Sequence, residues 1–293
     1  MELLKACPIC NHTKLNNYLS SNDYFLSGQD FEIVACDNCG FRFTNPRPEA
    51  DKLGSYYKSN DYISHSNKSK GVFSTAYQLV RNYTLSQKQK LIEMYSAKGT
   101  ILDIGCATGH FLNQMQKIGW KTLGIEPDSD TRNKAIDTFG LQVFDELKLE
   151  TIPKGSIDVI TMWHVLEHVA DLNARVAQLE KLVSEKGVVF IAVPNSNSYD
   201  AAYYKKQWAA YDVPRHLYHF TINDISLLFS NYGFKLEKTI PMKFDSFYVS
   251  LLSEKYKTGK MKIFSAFWIA LISNVKFGRK NGYSSQIFVF KKK

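Results

Sequence analysis

Residues 100–126, TILDIGCATGHFLNQMQKIGWKTLGIE, restrict what this chain can fold into more than any other stretch. Thr100-Ile101-Leu102-Asp103-Ile104 is a short apolar run of the kind that forms a buried strand. It breaks at Gly105, and a second glycine follows at Gly109. Phe111, Met115 and Ile118 then recur at helical spacing, and Gly119 stops that helix. Lys121 to Ile125 reads as a second strand closing on Glu126. Strand, glycine turn, helix, strand, acid is the layout of a nucleotide-type cofactor site in an open α/β sheet. The glycines let backbone approach a ligand closely, and the helix N-terminus offers free N–H groups. An acid ending the second strand can accept hydrogen bonds from ribose hydroxyls.

A dinucleotide fingerprint would read G-x-G-x-x-G, but position 107 is Ala and the pattern here is D-x-G-x-x-x-G. This resembles motif I of the class I S-adenosylmethionine (SAM) methyltransferases. The resemblance implies that Gly105, Cys106, Ala107 and Gly109 wrap the amino-acid end of SAM, and that Glu126, followed by Pro127, binds its ribose. Asp103 would either orient the loop or reach the SAM ammonium. The implied fold is a Rossmann-like, seven-stranded α/β sheet with its last strand antiparallel and helices on both faces. A glycine pair alone would also suit an ordinary βαβ turn; the acid after the second strand argues for the cofactor.

Downstream, Pro127-Asp128 starts a helix that Gly140 stops, and Leu141 to Phe144 gives a third strand. The following Asp145-Glu146 stands where relatives contact adenine, or is a solvated turn. Ile157 to Trp163 is a fourth strand running into HVLEHV, a string similar to that of ubiquinone-type methyltransferases, with Ile157 where Phe is usual. Trp163 and His164 would line the methyl-transfer site. Glu167 and His168 are either functional or a pair that fixes the loop. Gly187 to Val193, Lys235 to Ile240 and Ser284 to Phe290 supply the remaining strands.

Cys7-Pro-Ile-Cys10 and Cys36-Asp-Asn-Cys39 form two C-x-x-C knuckles, the pattern of a four-thiolate structural zinc site in a ribbon. Disulfides are the alternative, disfavoured in a reducing compartment. The N-terminus MELLKACPIC has no basic segment followed by an apolar one, so a cytoplasmic location is the expectation.

Residues 195–220, NSNSYDAAYYKKQWAAYDVPRHLYHF, sit where this fold closes its acceptor pocket. Trp208 followed by Asp212-Val213-Pro214-Arg215-His216-Leu217-Tyr218-His219-Phe220-Thr221 resembles a segment of the Methyltransf_23-like group, whose members commonly carry the N-terminal C-x-x-C pair. His216 can take a proton from an acceptor, with His219 a second candidate, and both also suit packing roles. Arg215 can pair with a carboxylate or phosphate, and the tyrosines with Trp208 offer a stacking wall.

The net charge of +9 is concentrated at one end: Lys255 to Lys293 holds ten Lys and Arg and no acid, leaving 27 basic against 28 acidic residues elsewhere. That disfavours a nucleic-acid partner. Within the basic segment, Ile263, Phe264, Phe267, Trp268, Leu271, Ile272 and Val275 form an apolar stripe. It reads as a core helix, or as an interfacial helix making peripheral contact with anionic lipid.

The expected organisation is a zinc ribbon at 1–48, a linker and helical cover at 49–98, and a methyltransferase domain at 99–293. The last includes an acceptor loop at 195–220 and a basic amphipathic insertion at 255–280. The expected function is SAM-dependent O-methylation of a small molecule such as a sugar or surface-polysaccharide precursor. The rivals are an RNA base methyltransferase whose ribbon grips RNA, and an inactive SAM-fold binding module.

Overall fold

The computed structural model describes residues 1–57, 72–277, 280 and 282–293, with only the backbone at 72–77 and 277. The expected linker from Asp61 to Lys70 and the basic residue Arg279 lie outside the described residues.

Seven strands form the main sheet. They are β4 (Thr100–Ile104), β5 (Lys121–Ile125), β6 (Val143–Phe144), β7 (Ile157–Trp163), β8 (Val183–Pro194), β10 (Phe234–Pro241) and β11 (Ser285–Lys292), in the order β10-β11-β8-β7-β4-β5-β6. β4 pairs parallel with β5 and β7, and β7 with β8. β11 runs antiparallel to both neighbours, as the resemblance implied. Gly187 to Pro194 of β8 is buried throughout, as a central strand covered on both faces requires.

Side chains alternate between two cores, following the period of two that strands impose. Leu102, Ile104, Ile160 and Met162 face one side; Ile101, Val159, Val188 and Phe190 face the other. Helix α1 (Val72–Tyr95) covers the second side through Leu91 and Ile92, together with α2 (His110–Lys117).

Helix ends follow local chemistry. Asp128 caps α3 (Ser129–Phe139) by accepting from Thr131 N, and Gly140 ends it at φ +65°. Asp171 caps α4 (Leu172–Leu182) and Ser198 caps α5 (Tyr199–Tyr204). Thr221 and Asp224 make a reciprocal capping box on α6 (Ile222–Ser230). Two more helices, α7 (Asp245–Thr258) and α8 (Ile263–Ile272), fill the span between β10 and β11.

The N-terminal residues form a second, four-stranded sheet from β1 (Leu15–Asn22), β2 (Asp30–Cys36) and β3 (Arg42–Thr44). Its fourth strand is β9 (Tyr218–His219), which pairs Phe43 with Tyr218 and Arg42 with His219. The Thr44 amide donates to Leu217 O at 2.9 Å, and the Thr44 hydroxyl to His216 O at 2.8 Å. Phe41 packs against Tyr218 and Phe220 at ring separations of 6.0 and 5.6 Å. The N-terminal sheet and residues 195–220 therefore share backbone pairing and an aromatic core.

Phe43 is fully buried at this junction, so Phe43→Ala should destabilise the protein by about 3–5 kcal/mol through lost transfer energy and the cavity left behind. Calorimetry should show one lowered transition for the whole chain, not the separate loss of an N-terminal unit.

Candidate functional site

The glycine turn after β4 is locked by close packing. Gly105 and Gly109 sit at φ +72° and +76°. A Cβ on Gly105 would collide with Val165, and one on Gly109 would come within 2.6 Å of Leu141 Cδ1. Between them Ala107 is held at φ +48°, and its N–H donates to Glu126 Oε2 at 3.0 Å. The other oxygen of Glu126 accepts from Asp128 N at 3.1 Å, so one carboxylate ties the turn to the end of β5. Burial pushes the Glu126 carboxyl above its usual range, while these backbone donors oppose the shift. Gly109 caps α2 with no side-chain bond, leaving first-turn N–H groups to a ligand. Cys106 is buried beside the loop, and burial raises its thiol. Pro127 lies exposed on the rim.

Asp103 is 1% exposed and accepts the Thr161 hydroxyl at 2.5 Å. Burial lifts its carboxyl to about 7, against the pull of Thr161 and the Lys88 ammonium. Lys88 reaches in from α1, and its Nζ stands 4.2 Å from the centre of the Trp163 ring. Burial depresses Lys88 to about 8, with Asp103 and Asp245 opposing. Trp163 meets Phe111 edge-on at 5.5 Å, and its buried indole Nε1 has no hydrogen-bond partner among the described residues. A loop at positive φ, a buried acid at the end of β5 and an unmatched indole donor together fit a polar nucleoside cofactor carrying an amino-acid tail.

At the end of β7, His164 takes φ +58°, uncommon for a residue with a Cβ. Its ring stands between two acids, with Nε2 3.0 Å from Asp245 Oδ2 and Nδ1 3.3 Å from Glu167 Oε1. Burial opposes its charged form, but the two carboxylates prevail and lift it to about 10. Glu167 is fully buried, and apart from the His164 ion pair neither of its oxygens has a hydrogen-bond partner among the described residues. His168 Nδ1 lies 2.8 Å from the Tyr57 hydroxyl and 3.1 Å from Arg215 O. Burial, with His216 nearby, depresses His168 to about 4. The His168 and His216 rings meet edge-on at 4.5 Å. One ligand atom from each of Glu167, His168 and His216 falls within 4.8 Å of the others, a group among which a proton or a divalent cation can be shared.

The three residues expected to act on the acceptor separate here. His216 joins the cluster, with Nδ1 2.8 Å from Ala210 O. Arg215, expected to face an acceptor anion, is instead 2% exposed. Its Nη2 donates to Asp23 at 2.9 Å and to Asp212 at 2.7 Å, and its Nε to Asp212 at 3.0 Å. His219 is buried in β9 with Nε2 3.1 Å from Thr44 Oγ1, and burial holds it well below the usual histidine range. Of the expected stacking wall, Tyr204, Trp208 and Tyr211 are internal; Trp208 donates to Asp200 at 2.8 Å and Tyr204 to Glu254 at 3.2 Å. Glu146 is paired with Arg175 at 2.8 Å, and Asp145 accepts from Leu147 N as a turn acid does. Lys88, Asp245 and Tyr57 are additions the sequence does not signal. Lys88 stands in Gln87-Lys88-Gln89-Lys90, which reads as a solvated helix face.

The four N-terminal cysteines converge. Cys7 and Cys39 sulfurs are 3.6 Å apart, and those of Cys10 and Cys36 are 3.5 Å apart. All four lie within 4.8 Å of one another and are free of disulfides. A tetrahedron with metal–sulfur bonds of about 2.3 Å has edges of about 3.8 Å, so the arrangement fits zinc.

The fold and the glycine loop have the layout of a methyltransferase domain. Residues 77–239, more than half of the chain, match the family described as "Methyltransferase domain" (Methyltransf_23), and the chain belongs to that family. Among curated proteins it is similar to the ubiquinone biosynthesis O-methyltransferase of Psychrobacter cryohalolentis, 31% identical over 128 residues, or 40% of this chain and 49% of that protein. The corresponding protein of Psychrobacter arcticus is 31% identical over 126 residues, or 39% and 48%. The chain thus spans about half the length of these curated relatives. The crystal structure of a SAM-dependent methyltransferase from Archaeoglobus fulgidus matches with a TM-score of 0.52 at 18% identity, covering 72% of this chain and 94% of that one.

His164 gives the site a pH signature. Its folded pKa is raised, so its contribution to stability is complete below the unfolded value near 6.5 and is lost as pH rises toward about 10. Stability should therefore fall across that window. Asp245→Asn should flatten the decline in denaturant melts recorded at successive pH values.

Proposed function

We propose that this methyltransferase transfers a methyl group to a hydroxyl oxygen of a small molecule, with His216 as general base. The observation that carries the reading is the cluster at the end of β7. The Ala210 carbonyl can only accept, so His216 Nδ1 carries the proton and Nε2 keeps its lone pair. A proton taken there makes an imidazolium, which the buried Glu167 carboxylate stabilises. His168 beside it is held neutral by burial. The O-methyltransferase names of the curated relatives support an oxygen acceptor. A sugar or surface-polysaccharide precursor is the acceptor class we favour; RNA is disfavoured because outside Lys255 to Lys293 the chain carries 27 basic against 28 acidic residues.

In this reading Asp103, Gly105, Cys106, Ala107, Gly109, Glu126, Pro127 and Trp163 hold SAM, which supplies an electrophilic methyl on its sulfonium. The protein's tasks are to align the acceptor, exclude water and remove its proton. Cys7, Cys10, Cys36 and Cys39 would hold one structural zinc ion as thiolates, and the lack of a disulfide among them suits a reducing, cytoplasmic setting.

His216→Ala should keep SAM affinity in calorimetry while turnover falls by about 100-fold or more. Unchanged turnover would remove His216 as the base. Label from methyl-labelled SAM should appear in a base-stable methyl ether; a base-labile ester or an N-methyl product would replace the hydroxyl acceptor.

Elemental analysis should find one zinc per chain, and Cys10→Ser should reduce it and lower the melting temperature. Full metal content in that variant would show that the thiols are not its ligands.

A further inference from the structure

We propose that α8 and the turn leading into it form a docking face for an anionic membrane surface. The helix is built in reverse of a core helix. Its small residues Ala266 and Ala270, with Ile269, face the protein. Its largest apolar side chains face outward: Phe264 is 85% exposed, Ile263 60%, Trp268 59% and Phe267 48%. A water-facing helix that hides its alanines and shows its aromatics has its apolar face turned toward something else.

Charge identifies the occupant. Lys255, Lys257, Lys260 and Lys262 are exposed on the approach to the helix, and no acid occurs from Lys255 to the C-terminal end. Aromatic residues beside lysines, on a helix lying flat, are the features of binding at a headgroup layer. A second copy of the chain would bring the same lysines against these, which opposes self-association at this face. Among the described residues no helix is long and apolar enough to cross a membrane, so the contact is one of lying on the surface.

The face is continuous with the neighbourhood of the site. Phe267 packs on Phe247 of α7 at 5.5 Å. The residue preceding α7, Phe244, is exposed and meets the exposed Tyr83 of α1 edge-on at 5.5 Å. Asp245, the partner of His164, begins α7. Docking does not depend on which acceptor is methylated, so its test is separate from that of the reaction.

The test is cosedimentation of the full chain with phosphatidylcholine vesicles, with and without phosphatidylglycerol. Binding is expected only with phosphatidylglycerol and should weaken as salt rises. Phe264→Ser with Trp268→Ser should lower affinity by about ten-fold or more, because each loses an aromatic anchor. Both side chains are exposed, so thermal unfolding should be unchanged. Lys260→Gln with Lys262→Gln, which leaves the apolar face intact, should weaken binding and reduce its salt dependence. No binding to anionic vesicles, or binding by both double variants equal to that of the unaltered chain, would overturn the proposal. So would a dimer in sedimentation velocity that the Phe264/Trp268 variant converts to monomer, since a second copy would then own the face.

Discussion

A guanidinium that is 2% exposed survives in a protein interior only where acids meet it, and Arg215 is met twice. Asp23 comes from the turn between β1 and β2, and Asp212 from the chain just before Arg215. Asp23 itself is fully buried, and its oxygens also accept from the backbone N–H groups of Phe25, Leu26 and Ser27. Arg215 Nη1 adds a bond to Tyr56 O at 3.3 Å. One buried cation thus pins the N-terminal hairpin, the segment before α1 and residues 195–220 to one another. His216 is the next residue, and Arg215 O is also a neighbour of His168 Nδ1. The placement of the two imidazoles therefore depends on an ion cluster whose far partner lies in the N-terminal sheet. This gives that sheet a structural reason to be present that does not depend on gripping RNA.

A second regularity runs from the glycine loop to residues 195–220. Asp103, Lys88, Asp245, His164, Glu167 and the His168–His216 pair alternate acid with base through the site. Neighbours oppose the effect of burial at two of these groups: Lys88 holds Asp103 down, and Asp245 and Glu167 hold His164 protonated. Such a row can be buried because no member faces the interior alone.

What the sequence revealed and what it withheld divide along the range of the interactions. The turn at Gly105–Gly109, the acid at Glu126, the caps at Asp128 and Thr221 and the paired cysteines are local patterns, legible within a few residues. The antiparallel last strand came from resemblance to a family. Arg215 reads as an anion-pairing group and His219 as either a base or a packing histidine, because residue type and a neighbouring proline are all that is visible locally. Their burial is decided by Asp23 and Thr44, some 170 to 190 positions away. Lys88 is hidden for the same reason: nothing in a run of alternating Gln and Lys tells which one turns toward Trp163.

The pairing of β3 with β9 carries a consequence for how the chain is made. On the ribosome, residues 42–44 emerge long before Tyr218 and His219, so the growing chain first presents a three-stranded sheet with an open edge. Such an edge is a template for the wrong partner, and contacts so distant in sequence form slowly. The sheet can be completed only after β8 and α5, which lie between, have been synthesised. Completing the N-terminal sheet and seating the segment that bears His216 are then one event, so a half-made chain lacks both, and the order of synthesis delays the site until the body of the protein is there to receive it.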